Sequence, residues 1–204
     1  MIKLHHLNKS RSKRIIWLLE ELGVEYELVA YQRDATTFLA PAALKKIHPL
    51  GKSPVLETSE FTIAESGAIT EYLIQTYAAD KLMPAKDSAD YIDYLQWMHF
   101  AESSAALPLL LKIFVKMEGS DTRFIGQYAD AEAAKVISYV NDRLEGKRYL
   151  VGDSLSGADI MMSFITELVG QNGDFEKYPN IAKYYQQLLT HKAFNKALKI
   201  EADN

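Results

Sequence analysis

Apolar and polar positions follow two different rhythms along this chain. Ile2 to Leu7 is a short strand-like run. Ile15, Leu18, Leu19 and Leu22 then recur at i, i+3, i+4 and i+7, which is one apolar face of a helix that stops at Gly23. Tyr26 to Tyr31 is a second strand-like run, so the opening predicts a β-α-β unit with a parallel strand pair. Thr37 to Ile47 is less regular. Pro54 to Glu57 and Phe61 to Ile63 stand three residues apart, hairpin spacing that predicts antiparallel pairing. A helix from about Glu65 places Ile69, Tyr72, Leu73 and Thr76 on one side.

From about Asp87 only helical periodicity remains. Tyr91 to Met117 is rich in helix formers and predicts one long helix, kinked by Pro108. Val136, Val140 and Leu144 mark a second helix, Ile160, Phe164 and Leu168 a third, and Ile181, Tyr184, Tyr185, Leu188 and Leu189 a fourth. Asp80, Pro84 and Asp87 read as linker residues. The expectation is therefore an α/β domain over residues 1–80 and an all-α helical bundle over residues 87–204. The order β-α-β, loose helix, β-β-α is the plan of a thioredoxin-like domain.

Composition narrows the chemistry. With 23 basic and 27 acidic residues the formal charge is −4, which argues against a polyanionic partner and predicts no nucleic-acid binding. The absence of cysteine removes disulfides, thiolate metal sites and any catalytic thiol of the protein's own, so sulfur chemistry here needs a bound cofactor. The longest apolar run, Ala105 to Leu111, is far below the ~20 residues of a membrane span, and the opening MIKLHHLNKS lacks the apolar stretch of a signal peptide. A cytoplasmic protein without a membrane partner is expected.

No phosphate-cradling glycine motif and no H-E-x-x-H spacing is present. His5 and His6 are neighbours on a strand and point to opposite faces, so they do not share a metal, and both read as structural; no metal site is expected. Asn8-Lys9-Ser10-Arg11-Ser12 joins the carboxyl end of the first strand to the first helix, where open α/β sheets bind ligands and a helix offers unpaired N–H groups. Ser10 or Ser12 caps that helix or serves a ligand. Gly51-Lys52-Ser53-Pro54 is a turn leading into a strand, where a cis bond before Pro54 would expose the Ser53 backbone to a ligand along the sheet edge. Ala64-Glu65-Ser66-Gly67 opens a helix with an acid and a hydroxyl, either plain capping or a receptor for an amine and a carboxylate. Ser156 and Asp159 form the S-x-x-D variant of a capping box, with Leu155 and Ile160 as its hydrophobic staple.

In this order, Asn8 to Leu22, Pro49 to Leu56, the E-S-G-A-I of Glu65 to Ile69, and Leu155 to Ile160 resemble the cytosolic glutathione S-transferase family over essentially the whole chain, and most nearly a serine-type microbial branch. The resemblance implies a thioredoxin-like glutathione-binding domain followed by a helical domain carrying the electrophile site. It implies glutathione as co-substrate, without a metal. Ser10 supplies the hydroxyl that stabilises the thiolate, with the Arg11 backbone and the Ser12 side chain as second candidates; no tyrosine lies in this loop. Ser53 then pairs through its backbone with the cysteinyl unit ahead of Pro54, Glu65 and Ser66 hold the γ-glutamyl end, and Lys52 approaches the glycine carboxylate. A small hydrophobic electrophile sits against the long helix, near His99, Phe100, Leu107 and Phe114. The capping box is a folding determinant in the family. A homodimer and a detoxifying conjugation follow by the same likeness. Glutathione-dependent peroxide or disulfide reduction, and non-catalytic ligand binding, are the alternatives.

Overall fold

Strands form at the strand-like runs, β1 with all but Lys3 of its residues buried. In the computed structural model, which describes residues 1–204, β1 is Ile2–Leu7, α1 Ser12–Leu22, β2 Tyr26–Tyr31, α2 Leu44–Ile47, β3 Val55–Glu57, β4 Thr62–Ala64 and α3 Ser66–Tyr77. The sheet order is β2-β1-β3-β4, with β1 parallel to β2 and the remaining neighbours antiparallel. The register aligns Ile2 with Tyr26 and Leu7 with Tyr31, so both strands end together at the start of the loop before α1. Gly23 closes α1 with φ 63°, a left-handed conformation that glycine adopts without a side-chain penalty. The Ser53–Pro54 peptide is cis.

The remaining elements are helical: α4 Ala89–Phe100, α5 Ala106–Glu118, α6 Ile125–Arg143, α7 Gly157–Gln171, α8 Pro179–Leu188 and α9 Lys192–Asp203. A thioredoxin-like sheet domain followed by helices is the expected fold class. The expected single kinked helix over Tyr91 to Met117 is instead two helices, α4 and α5. Pro108 lies in the first turn of α5; it has no N–H for the Ser104 carbonyl and its ring crowds that carbonyl, so the helix restarts with proline where no donor is needed. The face of α3 is also rotated from expectation: Ile69, Thr70, Leu73 and Ile74 are buried while Thr76 is exposed.

Two compact units result, one of Met1–Asp80 with Leu188–Asn204 and one of Lys81–Gln187. Residues 188–204, expected with the helical bundle, thus complete the sheet-bearing unit. There Trp17 is fully buried with its ring centroid 4.5 Å from that of Phe194, and Lys196 pairs with Glu20 at 2.6 Å. The apolar surface of α1 is too wide for β1 and α3 alone, and α9 covers the rest.

The second unit is organised by α7, on which Ile160, Met161, Met162, Ile165 and Val169 are buried; Phe164 and Leu168, expected at its core face, are only partly so. The predicted capping box is present: Asp159 Oδ2 accepts the Ser156 N–H and hydroxyl, both at 2.9 Å. Its other oxygen accepts the Leu150 N–H at 2.9 Å and the Tyr184 hydroxyl at 2.7 Å. Asp159 is fully buried; burial raises its pKa against the pull of those four hydrogen bonds. No helix is long and apolar enough to cross a membrane.

Candidate active site

Ser10 lies on the short loop between β1 and α1 and is 8% exposed. Its Oγ accepts the Ser12 N–H at 3.2 Å, so one of the orphan donors at the start of α1 is already directed at it. Arg11 is the N-cap residue and offers no side-chain cap. The loop is braced from outside by Arg33, which donates Nε to the Asn8 carbonyl at 3.1 Å and Nη2 to the Lys9 carbonyl at 3.3 Å. Asn8 Oδ1 accepts the Arg33 N–H at 2.9 Å in return. Lys9 adopts φ 53°, an uncommon conformation for a residue with a side chain.

Beneath the loop the hydroxyls continue inward. Ser10 Oγ and Ser12 Oγ are 2.7 Å apart, and Ser12 Oγ is 2.7 Å from His6 Nδ1. Ser12 and His6 have no exposed surface. Burial, and then the Lys13 ammonium, lower the His6 pKa to about 4, so the ring is neutral at pH 7. His5, on the opposite face of β1, meets the Tyr31 hydroxyl at 3.0 Å and Glu57 at 3.3 Å. The two histidines face apart, as strand geometry requires.

Further along the sheet edge, Ser53 Oγ donates to the His5 carbonyl at 2.9 Å and accepts the Leu7 N–H at 3.0 Å. Its hydroxyl is consumed in holding the turn to β1, which leaves the backbone for any ligand. Pro54 is buried and Lys52 exposed. Glu65 precedes α3 with φ 71° and ψ 113°; its exposed carboxylate does not cap the helix. Plain capping therefore does not account for it. Such strained non-glycine residues persist where the surroundings enforce them, and they cluster at ligand sites. Ser66 Oγ accepts Nη1 of the buried Arg14 at 3.1 Å.

Ser10, Ser12, Ser53, Pro54, Glu65 and Ser66 thus belong to one unit, with Lys52 on its surface. Arg14 and His6, which hold Ser66 and Ser12, were not expected there. Arg14 had a signal, since an arginine four residues before Leu18 falls on the apolar face of α1. In the helical unit, His99 and Phe100 end α4, and Phe100 packs on Trp97 and Tyr139 with centroids 5.3 and 5.5 Å away. Leu107 and Phe114 lie two turns apart on α5 and are 55% and 58% exposed. They share a helix face with each other and not with His99, because the chain turns between α4 and α5.

A sheet unit whose first strand delivers a serine to a helix amino terminus, followed by a helical unit with a buried capping box, makes a two-domain protein that can offer a hydroxyl and unpaired N–H groups to an anionic ligand. Comparison with known proteins agrees. Residues 1–75 match the glutathione S-transferase N-terminal domain model, and residues 104–192 the C-terminal domain model. Glutathione S-transferase 1 of Saccharomyces cerevisiae is 36% identical over 95% of this chain and 92% of its own length. The crystal structure of a glutathione S-transferase from Actinobacillus pleuropneumoniae is 37% identical, with a TM-score of 0.90 over 99% of this chain and 93% of that one. A probable elongation factor 1-gamma of Arabidopsis thaliana is 27% identical over 94% of this chain, which spans 47% of that protein. The chain belongs to the glutathione S-transferase family.

Proposed function

We propose that this protein conjugates glutathione to small hydrophobic electrophiles, with Ser10 holding the sulfur as thiolate. The carrying observation is the Ser10 Oγ, fixed by the Ser12 N–H at the amino end of α1. A free thiol titrates near ~8.5, so only a small fraction is nucleophilic at neutral pH. A hydroxyl donor and a helix amino terminus both favour the anion, and a shift of ~2 units corresponds to ~2.7 kcal/mol. Ser12 is fully buried and engaged with His6, which favours Ser10 as the donor and the Arg11 backbone as its assistant.

In this reading the tripeptide lies along the sheet edge. The Ser53 backbone pairs with its cysteinyl unit beside Pro54, Glu65 and Ser66 take the γ-glutamyl amine and carboxylate, and Lys52 meets the glycine carboxylate. Arg14 supports this end by holding Ser66. The electrophile uses the apolar surface of the helical unit, with His99, Phe100, Leu107 and Phe114 as its candidates. A cytoplasmic homodimer is part of the proposal, and light scattering measures its mass.

Ser10→Ala tests the assignment. It is expected to raise the pKa of bound glutathione and lower turnover at neutral pH, with glutathione affinity within several-fold of the parent. An ultraviolet thiolate titration identical in parent and variant would remove Ser10 from the mechanism. The likeness to elongation factor 1-gamma favours one second reading, a fold retained for binding without turnover. Retention on glutathione-agarose with no turnover of a chloronitrobenzene or an organic hydroperoxide is its signature. Hydroperoxide turnover alone would instead indicate the reductive activity.

A further inference from the structure

Glu201 stands near the end of α9, almost a full chain length from the loop it touches. Its Oε1 accepts the Lys9 N–H at 2.6 Å, and its Oε2 lies 3.4 Å from His6 Nε2. These contacts fall on the two supports of Ser10. Lys9, immediately before it, is held in the left-handed conformation at φ 53°, which an unaided lysine leaves readily for an extended one. His6, below it, carries Ser12 Oγ on Nδ1 at 2.7 Å, and Ser12 Oγ carries Ser10 Oγ at 2.7 Å. A single carboxylate therefore anchors the turn that presents Ser10 and lies beside the neutral His6 ring on which the buried hydroxyls rest.

The seating of α9 does not depend on this residue. Phe194 and Ala197 are buried, Phe194 against Trp17, and Lys196 pairs with Glu20 at 2.6 Å. Glu201 is instead the point at which a well-docked helix reaches the loop. Arg33 also holds the turn, through the Asn8 and Lys9 carbonyls, with the Glu201 carboxylate among the charges that act on its guanidinium.

We propose that Glu201 and His6 are positioning residues for Ser10, and that the last helix is thereby a working part of the site. The inference rests on the thiolate role given to Ser10 above. The polar contacts matter rather than the negative charge, because the site is required to stabilise an anion and a nearby carboxylate charge opposes that. Glutamine at this position keeps an acceptor for the Lys9 N–H; alanine keeps none.

The test compares the parent with Glu201→Gln and Glu201→Ala in the full chain. Glu201→Ala is expected to raise the pKa of bound glutathione by about one unit, giving about tenfold less thiolate and about tenfold lower kcat below that pKa. KM for glutathione stays within about threefold, since the groups that grip the tripeptide are untouched. Glu201→Gln is expected to restore both values to within about twofold of the parent. In the ligand-free protein, exchange of the Lys9 amide hydrogen should accelerate about tenfold or more in Glu201→Ala and not in Glu201→Gln. An unchanged thiol titration and kcat in Glu201→Ala, or unchanged Lys9 exchange, overturns the proposal. So does a glutamine variant as impaired as the alanine one. Failure of the parent to bind glutathione overturns the transferase reading instead, and the Lys9 exchange still decides whether Glu201 holds the turn.

Discussion

Replacing Asp159 by alanine removes an acceptor that four donors share, and the cost can be worked out from the geometry. The Leu150 N–H at 2.9 Å, the Ser156 N–H at 2.9 Å and the Tyr184 hydroxyl at 2.7 Å lose their partner inside the helical unit. The Ser156 hydroxyl can rotate to another acceptor. Each stranded buried donor costs ~1–3 kcal/mol, while release of a buried charge and entry of water into the vacated space recover part of that. The net expectation is about 3–5 kcal/mol, well above the ~1 kcal/mol of an ordinary helix cap. At ~4–8 °C per kcal/mol for a unit of this size, the melting transition should fall by more than ~10 °C. Circular dichroism followed through a urea titration measures the free energy and through a thermal scan the melting shift, with glutathione affinity of the folded fraction expected to stay nearly unchanged. Tyr184→Phe removes one stranded donor, so the double variant should be less destabilised than the sum of the singles by ~1–2 kcal/mol. A single-variant loss near 1 kcal/mol and strict additivity would refute the shared-acceptor argument and leave Asp159 a simple cap.

Two further expectations concern the sheet-bearing unit. Glu65→Ala should weaken glutathione binding by ~1.5–3 kcal/mol, the scale of a hydrogen bond to a charged group, and calorimetry showing no loss would mean the amine is held elsewhere. His6 has its pKa lowered from 6.5 to about 4, so the unfolded chain binds the extra proton first and stability falls as pH drops through that window. About 3 kcal/mol is lost between pH 6.5 and 4 relative to His6→Asn, and equal pH slopes in the two proteins would contradict a buried neutral ring.

Local pattern made much of this fold legible. β1 and β2 occupy the two strand-like runs, and α1 ends at the glycine that ends its apolar face. The capping box was readable because its partners lie within one helical turn. Tyr184 and Leu150 were not readable as partners of Asp159, since nothing local joins them. The break between α4 and α5 follows from Pro108 only if its missing donor is weighed above the helix formers around it. For the site, Ser10, Ser53 and Glu65 announced themselves by their places at element junctions. His6 reads from the sequence as a structural histidine, and only the fold shows that Ser12 stands on its Nδ1. Glu201 carried no signal at all, because its meaning depends on where α9 docks.

The discontinuity of the first unit has an optical and a temporal consequence. The chain has two tryptophans, Trp17 in one unit and Trp97 in the other, both without exposed surface. Trp17 acquires its Phe194 neighbour only when α9 is in place, and that helix follows every other described element along the chain. During synthesis the sheet can pair while the indole of Trp17 still faces water, whereas the surroundings of Trp97 are complete before the final stretch is made. A protein carrying Trp97→Phe therefore emits a signal that matures only once α9 has been made, and a protein carrying Trp17→Phe emits one that can mature earlier.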